Sequence, residues 1–141
     1  MKYRLQRKQF PRILVNYILS IPFMYGMVIP LIILDIGLEI FHRVCFRLCH
    51  IPYVKRSQYI KIDRQKLSYL KWFEKLNCAY CGYANGLLQY AVAIGAETEK
   101  YWCGIMHAKY KDFKPPKHHK DFLPYGDEQA FRDFVKDEDA K

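Results

Sequence analysis

The chain has 141 residues, 51% of them hydrophobic and 16% aromatic, with a net charge of +9. That length holds one domain-sized unit, and this much apolar and aromatic content excludes a wholly disordered chain. The charge is segregated: residues 1–12 carry +5, 13–41 carry −2, 42–75 carry +7 and 121–141 carry −4. Positive blocks on both sides of an apolar stretch suit anionic lipid head groups better than a nucleic-acid groove, so lipid and not nucleic acid is the expected partner.

A basic segment, residues 1–12, precedes the run Ile13 to Leu34, "ILVNYILSIPFMYGMVIPLIIL", which carries no charge. At about 1.5 Å per residue it is long enough for a hydrocarbon core of roughly 30 Å. It is too long for a signal-peptide core and ends in no small-residue cleavage site, so 13–34 reads as a membrane anchor. Pro22 and Pro30 each remove a backbone donor. Two geometries follow, one kinked transmembrane helix or a re-entrant hairpin turning near Gly26. Basic residues on both flanks leave the choice open.

Residues 35–50, "DIGLEIFHRVCFRLCH", keep an apolar helical face but put Asp35, Glu39 and His42 on one side. They predict an amphipathic interfacial helix. Glu39-x-x-His42 has the spacing of a di-iron bundle, which needs a second such motif that this chain lacks. A polar stripe turned toward head groups or a partner helix is the better expectation.

From Ile51 to Tyr110 we expect a small helical unit. A short extended piece holds Tyr59, Ile60 and Ile62, and Asp63 then caps a helix over Arg64–Leu76. A second helix runs from about Tyr83 to Lys100, with Gly82, Gly86 and Gly95 allowing close packing. Residues 111–141 read as a basic, proline-containing linker followed by a short helix with an acidic end. His118 and His119 lie in that linker, where exposure is expected and metal capture only a minor role.

Cys78, Cys81, Cys103 and His107 have the form C-x2-C-x21-C-x3-H. Two close pairs of donors suit a tetrahedral zinc site, with iron as the alternative metal. The competing readings are a Cys78–Cys81 thiol couple and inert buried thiols. Glu97 or Glu99 could serve as a general acid or base beside a metal-bound water, provided one of the four ligands stayed off the ion.

"NCAYCGYANG" with "ETEKYWCGIMH" resembles a motif of small bacterial membrane proteins without an assigned activity. The likeness rests on Asn77, Cys78, Tyr80, Cys81, Tyr83, Asn85, Gly86, Thr98, Glu99, Tyr101, Trp102, Cys103, Ile105 and His107. It extends from about Leu34 to Ala108 and implies a membrane setting and no mechanism. The expectation is a mainly α-helical, membrane-anchored protein with a cysteine-bearing unit on the cytoplasmic face. It is held together by zinc and docks a membrane-protein partner. The alternative is a membrane-bound metalloenzyme or thiol oxidoreductase acting on a lipid or quinone.

Overall fold

The computed structural model describes residues 10–139, with side chains from 15 to 137, and is mainly helical. Most of the basic segment 1–12 therefore lies outside the described residues.

Helices α1 (Phe10–Gly26) and α2 (Val28–Leu48) form one rod. The helical ladder crosses their junction, because Met27 N–H donates to the Phe23 carbonyl at 3.3 Å and Leu31 N–H to that of Met27 at 3.2 Å. What interrupts it is Pro30, which has no N–H to give Gly26. The hairpin alternative is corrected on this point: the chain does not turn back at Gly26. Residues 15–48 make one helix long and apolar enough to cross a membrane, with few of its side chains buried.

The rod has two faces. Leu31, Asp35, Leu38, Glu39, His42 and Phe46 follow the helical repeat toward the protein interior, Ile21, Met24, Tyr25, Val28 and Cys45 are half-buried beside them, and the other described apolar side chains are exposed. At its end the rod closes in a Schellman motif: Ile51 N–H bonds the Phe46 carbonyl at 3.0 Å, with His50 between them at φ 55°. His50 stands where glycine is usual.

The chain then returns along the rod. Asp63 makes no side-chain cap, and Arg64–Lys66 forms a single 3-10 turn instead of the expected helix. The helix starts later, at α3 (Trp72–Trp102), where the Glu74 carboxylate accepts the Lys71 N–H at 2.9 Å. Moreover, α3 runs unbroken for 31 residues, so the two expected helices are one. Gly82 and Gly86 cost helix stability yet earn their place in packing. A Cβ at Gly82 would lie 2.9 Å from the Lys61 carbonyl, and one at Gly86 2.8 Å from both Tyr59 O and Ile60 Cα. The returning backbone thus lies directly on α3. Gly95, by contrast, faces open space.

Rod and α3 run parallel. Asn77 accepts from Tyr25 Oη at 2.6 Å and donates to Tyr17 Oη at 2.8 Å. Farther along, Tyr83 Oη donates to Asp35 at 2.9 Å, and Tyr90 meets Glu39 and His42. Leu31, Phe46, Ile51, Val54, Leu87, Tyr90 and Ile94 form the buried core between them. After α3, residues 104–106 pair with Leu123 through Leu123 N–H to Gly104 O and Met106 N–H to Leu123 O, both 2.8 Å. Helix α4 (Glu128–Asp139) follows, its first turn capped by Asp127, which accepts the Ala130 N–H at 2.9 Å.

Candidate metal centre

The four predicted ligands do not converge. Cys78 and Cys81 lie inside α3 and Cys103 caps its far end. At 1.5 Å per residue Cys81 and Cys103 are about 33 Å apart along one rigid helix. The spacing suggested two chelating pairs because the chain between them was expected to go out and return along a neighbouring segment, and α3 does not turn back. All five cysteines are free thiols, Cys81 and Cys103 exposed.

His107 instead meets Glu99 and His119. One donor atom from each of these three side chains lies within 4.8 Å of the other two. Glu99 sits on the last turn of α3, His107 just past the paired residues 104–106, and His119 on the 3-10 turn Lys117–Asp121. The pairing of 104–106 with Leu123 holds the last two segments together. His118 and His119 are therefore not an exposed linker pair: His119 is only 2% accessible, stacked on Phe122 with ring centroids 4.7 Å apart.

Glu99 is shared by two imidazoles. His118 Nε2–H donates to one carboxylate oxygen at 2.7 Å and His119 Nε2–H to the other at 3.0 Å. The His118 bond, joined by that of His119, holds the Glu99 carboxyl below its usual pKa, against the opposing effect of desolvation. With Nε2 committed to Glu99, His119 Nδ1 carries a lone pair. That atom is buried and has no hydrogen-bond partner among the described residues. An unsatisfied buried acceptor costs about 1–3 kcal/mol.

This donor set fits a divalent transition metal. Two imidazoles and a carboxylate are the ligands of open zinc and non-haem iron sites. A cation can enter by replacing the proton between Glu99 and His119 Nε2. It can also take the bare Nδ1, with Glu99 steadying the ring from behind, as outer carboxylates do. Metal–nitrogen bonds of about 2.0–2.1 Å require the three donors to close in by roughly an ångström. Beside His107 and His119 lies a cavity of about 800 Å³ walled by Met106, Tyr110, Phe113 and Tyr125.

Sequence reasoning reached His107, and weighed Glu99 only as a catalytic acid or base. It gave His119 metal capture only as a minor role and expected it exposed, because nothing local in "KPPKHHKD" signals burial. The Glu39-x-x-His42 pair resolves differently. Arg56 bonds both oxygens of Asp35, one of them at 2.7 Å, and reaches Glu39 at 3.3 Å. Val54 N–H donates to His42 Nε2 at 3.1 Å, which puts the ring proton on Nδ1. Nδ1–H then donates to Tyr90 Oη at 2.9 Å, and Tyr90 O–H donates to Glu39 at 3.2 Å. The polar stripe of α2 thus faces α3 of its own chain.

No protein family, curated protein or solved structure matches this chain.

Proposed function

We propose that the chain is a membrane-anchored protein whose far end binds one divalent transition metal, zinc or ferrous iron, through Glu99, His107 and His119. The convergence of one donor atom each from Glu99, His107 and His119 within 4.8 Å of one another supports this reading. Bound metal would tie residues 104–123 to the end of α3 and give a small, loop-rich region the fixed shape that a docking surface needs. The anchor is the apolar helix 15–48, and its basic flanks favour the cytoplasmic side.

The cavity favours a second role at the same place. Three protein ligands leave coordination positions open, and the 800 Å³ space beside His107 and His119 admits a small substrate to them. A metal-bound water there would serve hydrolysis, with His118 as the adjacent proton carrier.

Elemental analysis of purified protein after zinc loading tests the reading. One equivalent is expected in the wild type and in Cys78→Ser and Cys103→Ser, and much less in His119→Gln. Metal lost with the cysteines but kept in His119→Gln would overturn it.

A further inference from the structure

The exposed side of the rod has its own pattern. Ile29, Ile33, Ile36, Ile40, Val44 and Leu48 recur at three- and four-residue steps, and Pro22 and Gly26 carry the same face back to Val15, Ile18 and Leu19. The stripe is continuous from the uncharged run into α2, with Ile29 67%, Ile33 66% and Leu48 73% exposed. The opposite face is covered by α3 and the returning segment.

That cover is hard to reconcile with an upright crossing. Gly82 falls between Asn77, which bonds Tyr25, and Tyr83, which bonds Asp35. The Lys61 carbonyl and the Arg64 guanidinium lie against Gly82. Lys61, Asp63, Arg64 and Lys66 are all exposed. They therefore stand beside the second half of the 13–34 run. A perpendicular span would place these charges inside the hydrocarbon, where exposed charge is strongly disfavoured. Laying the rod flat, stripe downward, keeps every one of them in water.

The end of the stripe is built for an anion. Arg47 and Arg43, whose Nε donates to Glu39 at 3.0 Å and whose terminal nitrogens extend past it, border it, and with His50 and Tyr53 they line a cavity of about 580 Å³. His50 holds a left-handed backbone that glycine would adopt without strain, and its side chain forms part of the wall. Cys49 and Ile51 N–H groups satisfy carbonyls of the last turn, which blunts the negative end of the helix.

We propose that the α1–α2 rod lies along a single anionic phospholipid leaflet, its apolar stripe among the acyl chains and Arg43, Arg47 and His50 around a lipid phosphate. This rests on the anchor reading above. Charge complementarity and the continuity of the stripe with the uncharged run argue for lipid as the occupant.

Full-length protein carrying a cleavable tag at each end, reconstituted into sealed vesicles, supplies the test. Both tags of a molecule should be cut together or spared together by external protease. Binding to vesicles containing phosphatidylglycerol should exceed binding to pure phosphatidylcholine by at least about tenfold. Arg47→Gln should shrink that preference. His50→Gly should shrink it too while keeping or raising the melting temperature, a pairing that damage to the fold cannot produce. Tags on opposite sides, or a preference untouched by both substitutions, would overturn the proposal. Competition by millimolar inorganic phosphate would also overturn it, pointing to a free-anion site. A chain that associates with neither vesicle type would instead remove the anchor reading itself.

Discussion

The molecule contains two clusters of carboxylate and imidazole, and they differ in how their hydrogen bonds close. Around Asp35, Glu39 and His42, the side-chain donors and acceptors find partners in Arg56, Tyr83, Tyr90 and the Val54 amide. Around Glu99, three histidines converge and one buried nitrogen is left over. The first cluster joins two long helices, and its buried donors and acceptors are satisfied within the described residues. The second joins a helix end to a loop, and its buried His119 nitrogen is not. Residue type alone does not separate them; completeness of pairing does.

Breaking each cluster should give opposite signatures. The largest effect is expected at His119→Gln, which should weaken zinc binding by at least about 100-fold in a chelator competition. The apoprotein's stability should change little by comparison. Arg56→Ala should do the reverse, leaving metal affinity intact and lowering unfolding free energy by about 2–3 kcal/mol, since Asp35 loses the cation that pairs with it among the described residues. Denaturant titration reads that loss.

Gly86→Ala should cost about 1–3 kcal/mol, because the new methyl meets the backbone of Tyr59 and Ile60. The same change at Gly95, with nothing nearby, should stabilise by about 0.5–1 kcal/mol. The contrast checks the course of the returning segment without touching either cluster.

Tyr90→Phe sharpens the comparison most finely, at about 1–2 kcal/mol, by leaving the His42 N–H without its acceptor. Desolvation, reinforced by the charge on Glu39, raises the Tyr90 phenol above its usual pKa. The folded state therefore holds this proton more tightly than the unfolded chain. The stability it contributes is complete below about pH 10 and falls as pH rises beyond. Melting temperatures from pH 8 to 11 should decline more steeply in the wild type than in Tyr90→Phe.

Much of the fold was legible in the sequence. The uncharged run, the sidedness of Asp35, Glu39 and His42, and the terminal helix all follow from helical periodicity. The junction at Gly26 was not, since proline marks a missing hydrogen bond without saying whether the chain bends or reverses. The two-helix expectation also failed: Gly82 packs closely as expected, against the Lys61 backbone, but the helix runs through it and on to Trp102 without a break. That error created the cysteine site, because C-x2-C and C-x3-H meet only if the helix between them folds back. The Glu99–His107–His119 group escaped notice for a related reason. Its members are joined by the pairing of 104–106 with Leu123, a long-range contact that no local pattern announces.

X-ray absorption at the metal edge of the zinc-loaded protein tests the central claim most directly. Binding by Glu99, His107 and His119 predicts a first shell of nitrogen and oxygen at about 2.0–2.1 Å, with no sulfur. Two or three sulfur neighbours at about 2.3 Å would contradict it and return the metal to the cysteines.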